Sequence, residues 1–360
     1  MKNSKKIWFI SCAGVCALAV LGYQYFGLEC TSCEPAKVAQ VNTQSANVES
    51  TRQLAVPATA GTQHSMKVEK PAETDEYLGA SNNASQPQSG KKHYDDDWCI
   101  AKDELSESDY NFAQTQLQDW DEFQGKARFS SPSMSHADEL MYPNNNYIES
   151  YEALPLEQLE SLAVKGDKWA MVTFVQHPQA NMKVKDEVAK QLLVQGASYY
   201  ALQELIFNSI VAAEMSFERA DGRQAAADHV IEALAYAYWG LEHYNEGSLG
   251  TFIALTSVEP FKTKFPLELV LANSEKKIEN SLKKLTNSIQ QARAEAGIDI
   301  PQAPSAVQKS FAKHIAIRES ISKKHMDLLR SLNIANNNRI QITPCVNKHL
   351  ADLKEKTQKY

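Results

Sequence analysis

Leu162-Ala163-Val164-Lys165-Gly166-Asp167-Lys168-Trp169-Ala170-Met171 decides how this chain folds. Upstream, Leu156, Leu159, Leu162 and Ala163 recur at the three- and four-residue spacing of one helical face, behind a Pro155 suited to the first helical position. Gly166 ends that helix, and Asp167 is a capping residue for a second one carrying Trp169, Ala170, Val172, Thr173 and Val175 up to His177-Pro178. The stretch therefore reads as two antiparallel helices joined by a glycine turn.

The pattern returns. Val188, Ala189, Leu192 and Leu193 line a helix that closes at Gln195-Gly196, and Tyr200, Ala201, Leu202, Leu205 and Ile206 line its partner, with Ala201 placed 31 positions after Ala170. A third, more divergent unit runs from Glu232 to Leu255 through Ala233, Ala237, Trp239, Leu241 and Gly247. A two-helix unit cannot bury its apolar stripe alone, so such units stack and share a core. The expected fold class is all-α, a helical-hairpin repeat of α-solenoid-like form.

The core 162–171 resembles that of a Sel-one-like repeat, a relative of the tetratricopeptide repeat. Leu192 to Leu205 is similar to a second copy with one extra residue between Gly196 and Ala201, and the resemblance covers about a quarter of the chain. It implies protein–protein interaction, in bacteria often linked to envelope assembly or signalling.

Downstream, Ile278, Leu282, Leu285, Ile289 and Ala292 predict one long helix from Ser274 to Ala296, closed by Gly297. Pro301 and Pro304 then break the chain before a helix over about Ser305 to Leu332. Arg339 to Thr343 is the one plausible strand, and a short polar helix follows Pro344-Cys345. Upstream, Ser106-Glu107-Ser108-Asp109 resembles a capping box that opens a helix bearing Tyr110, Ala113, Leu117 and Trp120. The ordered domain is placed at 98–360, with a repeat-like core at 151–257 and long C-terminal helices over 262–358.

The N-terminus supplies an address. Lys2, Lys5 and Lys6 precede an uncharged run from Ile7 to Leu28, which as a helix is about 33 Å long, enough to cross a hydrocarbon core of roughly 30 Å. The lysines favour an N-terminus left in the cytoplasm. Residues 1–29 are thus expected to be a signal-anchor in the inner membrane, with the bulk of the chain periplasmic. The alternative is cleavage after Ala17-Leu18-Ala19, which delivers the domain to the same compartment. Residues 30–97 are rich in Ala, Gln, Ser, Thr, Asn and Pro, lack a sustained apolar period, and read as a disordered tether of roughly 45 Å typical span.

Net charge of −7 argues against a nucleic-acid partner. G-x-S-x-G, H-E-x-x-H, Walker and G-x-G-x-x-G motifs are absent, and the nine His residues are scattered. No catalytic residue, metal site or small-molecule cofactor is expected. Of six cysteines, Cys12 and Cys16 lie within the apolar run. Cys30, Cys33, Cys99 and Cys345 are disulfide candidates in an oxidising compartment. A Cys99–Cys345 pair would staple the start of the domain to its finish, and Cys30-x-x-Cys33 leaves a thiol–disulfide protein as an alternative. Asp95-Asp96-Asp97 with His93 reads as a solvated charge run. Lys309, Lys313, His314, Arg318, Lys323, Lys324 and Arg330 make the penultimate helix basic.

The remaining candidates are aromatic. Trp169, Tyr199, Tyr200, Tyr236, Trp239 and Tyr244, with Tyr238 beside them, fall in the repeat region, where stacked hairpins build a concave surface and Tyr and Trp act as anchors. The expected function is a membrane-anchored protein-binding or scaffolding module with partners in the cell envelope. Glycan or cell-wall binding through the same aromatics is the other alternative.

Overall fold

The computed structural model describes residues 91–127, 147–219, 222–257, 263, 265–271, 273–321 and 343–357. Among these the protein is all-α; extended pairing is limited to an isolated bridge between Lys92 and Leu105. No helix among the described residues is long and apolar enough to cross a membrane. The expected anchor and most of the tether lie outside them, as do Cys30, Cys33 and all but the end of the expected 339–343 strand.

The chain enters through α1 (Ala101–Glu104) and α2 (Glu107–Phe123), the latter capped by Ser106, whose Oγ accepts the Asp109 N–H at 3.2 Å. After the single turn α3 (Glu149–Glu152) come three consecutive pairs: α4 (Leu156–Val164) with α5 (Lys168–Gln176), α6 (Met182–Gln195) with α7 (Ser198–Phe217), and α8 (Gly222–Glu242) with α9 (Glu246–Ser257). Each helix packs on the next, and α5, α7 and α9 also pack on one another in a row. The short α10 (Leu267–Leu271) leads into α11 (Glu275–Ala296), which returns across α6 and α8. Then α12 (Ser305–Ile321) lies on α2 and α9, and α13 (Pro344–Thr357) lies on α12.

Helix α8 is the centre. Arg223, Gln224, Asp228 and Glu232 leave its first half a solvent face, but from Ala233 to Leu241 every residue is buried, and the helix is packed against α7, α9, α10 and α11. Ala226, Ala233, Ala237, Val230 and Leu234 are fully buried. Small residues permit that enclosure. A Cβ on Gly240 would sit 2.2 Å from Ser248 Oγ and 2.9 Å from Leu202 Cδ1, so α8 touches α9 and α7 backbone-close there. Ser248 Oγ donates to the Ala237 carbonyl at 3.1 Å, tying α9 to α8 at the same point.

One ion pair is enclosed with the apolar core. Lys185 of α6 lies 3.6 Å from Glu204 of α7, and both side chains are largely sequestered from water. Burial pushes the Glu204 carboxyl above its ordinary value, with Lys185 opposing it.

Candidate functional site

The three interhelical turns share one conformation and lie side by side. Gly166 (φ +90°) and Gly196 (φ +86°) occupy the left-handed region at the first two turns, where a side-chain-bearing residue is strained. At the third turn the same geometry is carried by Tyr244 at φ 58°. A capping side chain follows two of them: Asp167 Oδ1 accepts from the Ala170 N–H at 2.9 Å, and Asn245 Oδ1 accepts from the Gly247 and Ser248 N–H groups at 3.0 Å.

Hydrogen bonds join neighbouring turns. Gln195 Nε2 donates to the Gly166 carbonyl at 3.2 Å, and Asn245 Nδ2 donates to Ser198 Oγ at 3.3 Å. The end of α2 runs along all three. Gln124 accepts the Tyr199 N–H at 3.0 Å through its main-chain carbonyl and donates Nε2 to the His243 carbonyl at 2.9 Å. Lys168 Nζ donates to the Glu122 carbonyl at 2.7 Å. The result is a ledge built from α2 and three turns.

Four of the six sequence-derived aromatics reach this ledge partly buried. Trp169 is stacked flat on Tyr147 (centroids 4.8 Å, 4°), and Tyr147 donates its hydroxyl to Glu122 Oε2 at 3.0 Å. Tyr199 and Tyr200 meet edge to face at 4.8 Å, with Lys126 Nζ 5.3 Å above the Tyr199 ring and the Tyr200 hydroxyl bonded to the Ala127 carbonyl. Tyr244 packs edge-on to Trp120 and Phe311. The remaining two differ from the expectation. Trp239 and Tyr236 are 1 % and 4 % exposed, because α11 covers α8 where an open concavity was expected. Trp239 instead stacks on His243 (3.8 Å, 14°) and receives the Arg293 guanidinium 5.7 Å from its centroid.

Charge is concentrated beside the ledge, in Lys126, Asp121 and Glu246, which carry no signal in the sequence, and in His314 and Lys313 of the basic helix. Lys126 sits 3.1 Å from Asp121 and 3.7 Å from Glu246, and His314 of α12 pairs with Glu246. Burial pushes the Asp121 carboxyl up, with Lys126 pulling against it, and pushes the Lys313 amine down. One of the basic residues of α12 packs inward too: Lys309 Nζ donates to the Tyr94 carbonyl at 2.9 Å and lies 5.0 Å from the Trp98 ring centroid; Arg318, Lys323, Lys324 and Arg330 of the basic set have side chains outside the described residues. The Lys309 charge serves the docking of residues 94–98 on α12.

Cys99 and Cys345 are joined in a disulfide, with Cα atoms 5.9 Å apart. Glu104 stands against it, accepting the Cys99 and Ile100 N–H groups at 3.1 and 2.8 Å and pairing with Lys92. Burial raises the Glu104 carboxyl, but the Lys92 and main-chain hydrogen bonds together hold it below the ordinary value. Both sulfurs and the carboxylate lie within 4.8 Å of one another, a spacing that suits a metal only when the sulfurs are thiolates. Asp97 of the acidic run accepts the Cys345 N–H at 2.9 Å, fastening α13 a second time.

Comparison with family models, with curated proteins and with solved structures found no match.

Proposed function

We propose that this protein is a membrane-anchored, extracytoplasmic helical-repeat module that binds a protein partner in the cell envelope and does no chemistry on it. The observation that carries the reading is the ledge, where Trp169, Tyr147, Tyr199 and Tyr200 stand partly buried, each keeping some surface to solvent, with Lys168 and Lys126 against the rings. Rigid, partly desolvated Tyr and Trp beside cations are the residues that dominate binding energy at protein interfaces.

Two further features support the reading. The recurrence of a left-handed residue at Gly166, Gly196 and Tyr244, with α5, α7 and α9 in one row, agrees with degenerate Sel-one-like hairpins stacked in solenoid fashion. The Cys99–Cys345 disulfide suits an oxidising compartment, as does an apolar run behind Lys2, Lys5 and Lys6 that anchors the chain in the inner membrane with its N-terminus inside.

The test is proximity labelling in the native host, with a label confined to the extracytoplasmic side and fused after Tyr360 of the full chain. Reproducible enrichment of one envelope complex is expected, together with its loss in a Trp169→Ala, Tyr199→Ala double variant that still folds. Enrichment indifferent to that variant removes the ledge from the reading, and an absence of labelling removes the topology.

A further inference from the structure

Cys99 precedes α1, Glu104 ends it, and Cys345 stands in the first turn of α13. Three side chains able to ligate a metal thus meet at one point, the two cysteines from a sequence separation of 246. Cys345 Sγ lies 3.5 Å from each Glu104 oxygen, and Cys99 Sγ lies 3.6 Å from Oε1. In a tetrahedral zinc site, with bonds of about 2.3 Å to sulfur and about 2.0 Å to oxygen, sulfur and oxygen ligands stand about 3.5 Å apart. The carboxylate is already at ligand spacing from both sulfurs. Once the disulfide is open, only the sulfurs have to part, to about 3.8 Å from each other.

The surroundings suit an ion. The Cys99 and Ile100 N–H groups donate to Glu104 Oε1 and Lys92 donates to Oε2, the outer hydrogen bonding that orients a ligating carboxylate. Two thiolates and a carboxylate set three negative charges against the two positive charges of zinc. Lys92, with Nζ 4.0 Å from Cys345 Sγ, supplies the remaining positive one. The first turn of α13 favours Cys345 as a thiolate. The Lys92 and Glu104 side chains are 38 % and 21 % exposed, so an ion can enter from solvent and a water can complete its four ligands.

We propose that Cys99, Glu104 and Cys345 form a zinc site in the dithiol form of the chain. Thiolate ligands select zinc over magnesium or calcium. On binding, each S–H bond is exchanged for a Zn–S bond and both protons leave to water, with no change of oxidation state. Zinc and the disulfide are then alternative fastenings of α13, one for the dithiol chain and one for the oxidised chain. The site is independent of the ledge.

The experiment uses the full chain bearing Cys12→Ala, Cys16→Ala, Cys30→Ser and Cys33→Ser, which leaves Cys99 and Cys345 as its cysteines. A phosphine opens the disulfide, taking oxygen from water to become the phosphine oxide as two thiols form, and is removed under nitrogen. Zn²⁺ is titrated against a chromophoric chelator, and Co²⁺ serves as the spectroscopic probe. The dithiol chain is expected to take up one ion per molecule and to give the charge-transfer and intense visible bands of tetrahedral, thiolate-bound cobalt. Zinc should also restore the protease resistance of α13 that reduction removes. Glu104→Gln keeps an acceptor for the Cys99 and Ile100 N–H groups but loses the anion, and should bind zinc about tenfold more weakly or worse. A dithiol chain that holds zinc no better than the disulfide-bonded chain overturns the proposal. So does an unchanged affinity in a folded Glu104→Gln protein. If that variant does not fold, protease protection of α13 by zinc in the chain that retains Glu104 decides, and its absence overturns the site.

Discussion

Arg293 caps the far end of another helix: its Nη2 donates to the Leu193 carbonyl at 2.7 Å and its Nε to the Val194 carbonyl at 3.0 Å. Those are last-turn carbonyls of α6, where intrahelical donors run out and the helix dipole favours a cation. The same guanidinium lies over Trp239 of α8, so one side chain of α11 holds α6 and α8 together. Arg293→Ala is expected to destabilise the domain by about 1–3 kcal/mol, with Arg293→Lys intermediate because an ammonium cannot make the two-point contact. Urea unfolding followed by far-UV circular dichroism measures both; a change under about 0.5 kcal/mol for the alanine variant would show that the cap contributes nothing.

The Cys99–Cys345 disulfide closes a loop of sequence separation 246. Chain entropy puts its stabilisation at about 5 kcal/mol as an upper figure. Beyond the disulfide and the Asp97 contact, α13 rests on a small apolar cluster of Val346, Leu350, Ala316 and Ile100. Cys99→Ser or reduction should therefore expose α13 to protease well before the α4–α9 core is cut. Simultaneous loss of all fragments on limited proteolysis would contradict that order.

The buried pair Lys185–Glu204 gives a pH dependence with a defined sign. Glu204 has a folded-state pKa above its ordinary 4.5, so the folded state holds more protons than the unfolded one in that window. Its contribution to stability consequently falls as pH rises from about 4.5 through the folded value. Lys185→Met leaves the carboxylate buried without its cation and should cost about 3–5 kcal/mol near neutrality, recovering toward acid pH. Lys185→Met combined with Glu204→Leu should be close to neutral or stabilising. Denaturation midpoints of the two variants across pH decide it; a Lys185→Met deficit that is flat with pH would rule out the carboxylate as its source.

Tyr244 keeps a backbone shape that glycine adopts in the two preceding turns. Its left-handed φ costs about 1 kcal/mol, yet its ring packs on Trp120 and Phe311 and links α2 to α12. Tyr244→Gly relieves the backbone and loses the ring. Net destabilisation of about 1–3 kcal/mol is expected, read by thermal or urea unfolding. A stabilised variant would mean that the aromatic contacts are weaker than the strain they accompany.

Much of the fold was readable from local chemistry. Ser106, Asp167, Gly196 and Gly297 stand at helix ends, because caps and left-handed stops act within a few residues and need no tertiary partner; Ser274 also stands at one, without a side-chain cap bond. Pro155 stands at the cap itself, one residue before Leu156, and the short helices α1, α3 and α10 carry no periodic signal in the sequence. The α12 helix is described as far as Ile321. The aromatic candidates were half readable. Ring identity is visible in a sequence, but Trp239 and Tyr199 look alike there, and α11 folding back over α8 makes one core and leaves the other at the surface.

What the sequence determined by itself is the helical class and the ends of the main helices, since each follows from residue spacing and from the backbone preferences of Gly, Pro, Ser, Asp and Asn. Tertiary structure alone decided which charges meet. Lys185 with Glu204, Lys126 with Asp121 and Glu246, and Arg293 with the end of α6 are brought together by packing across distant segments. The desolvation that lowers the Lys168 amine arises only once the end of α2 is laid against the turns. Propensity is local, whereas burial and electrostatic pairing depend on which surfaces the whole chain closes against one another.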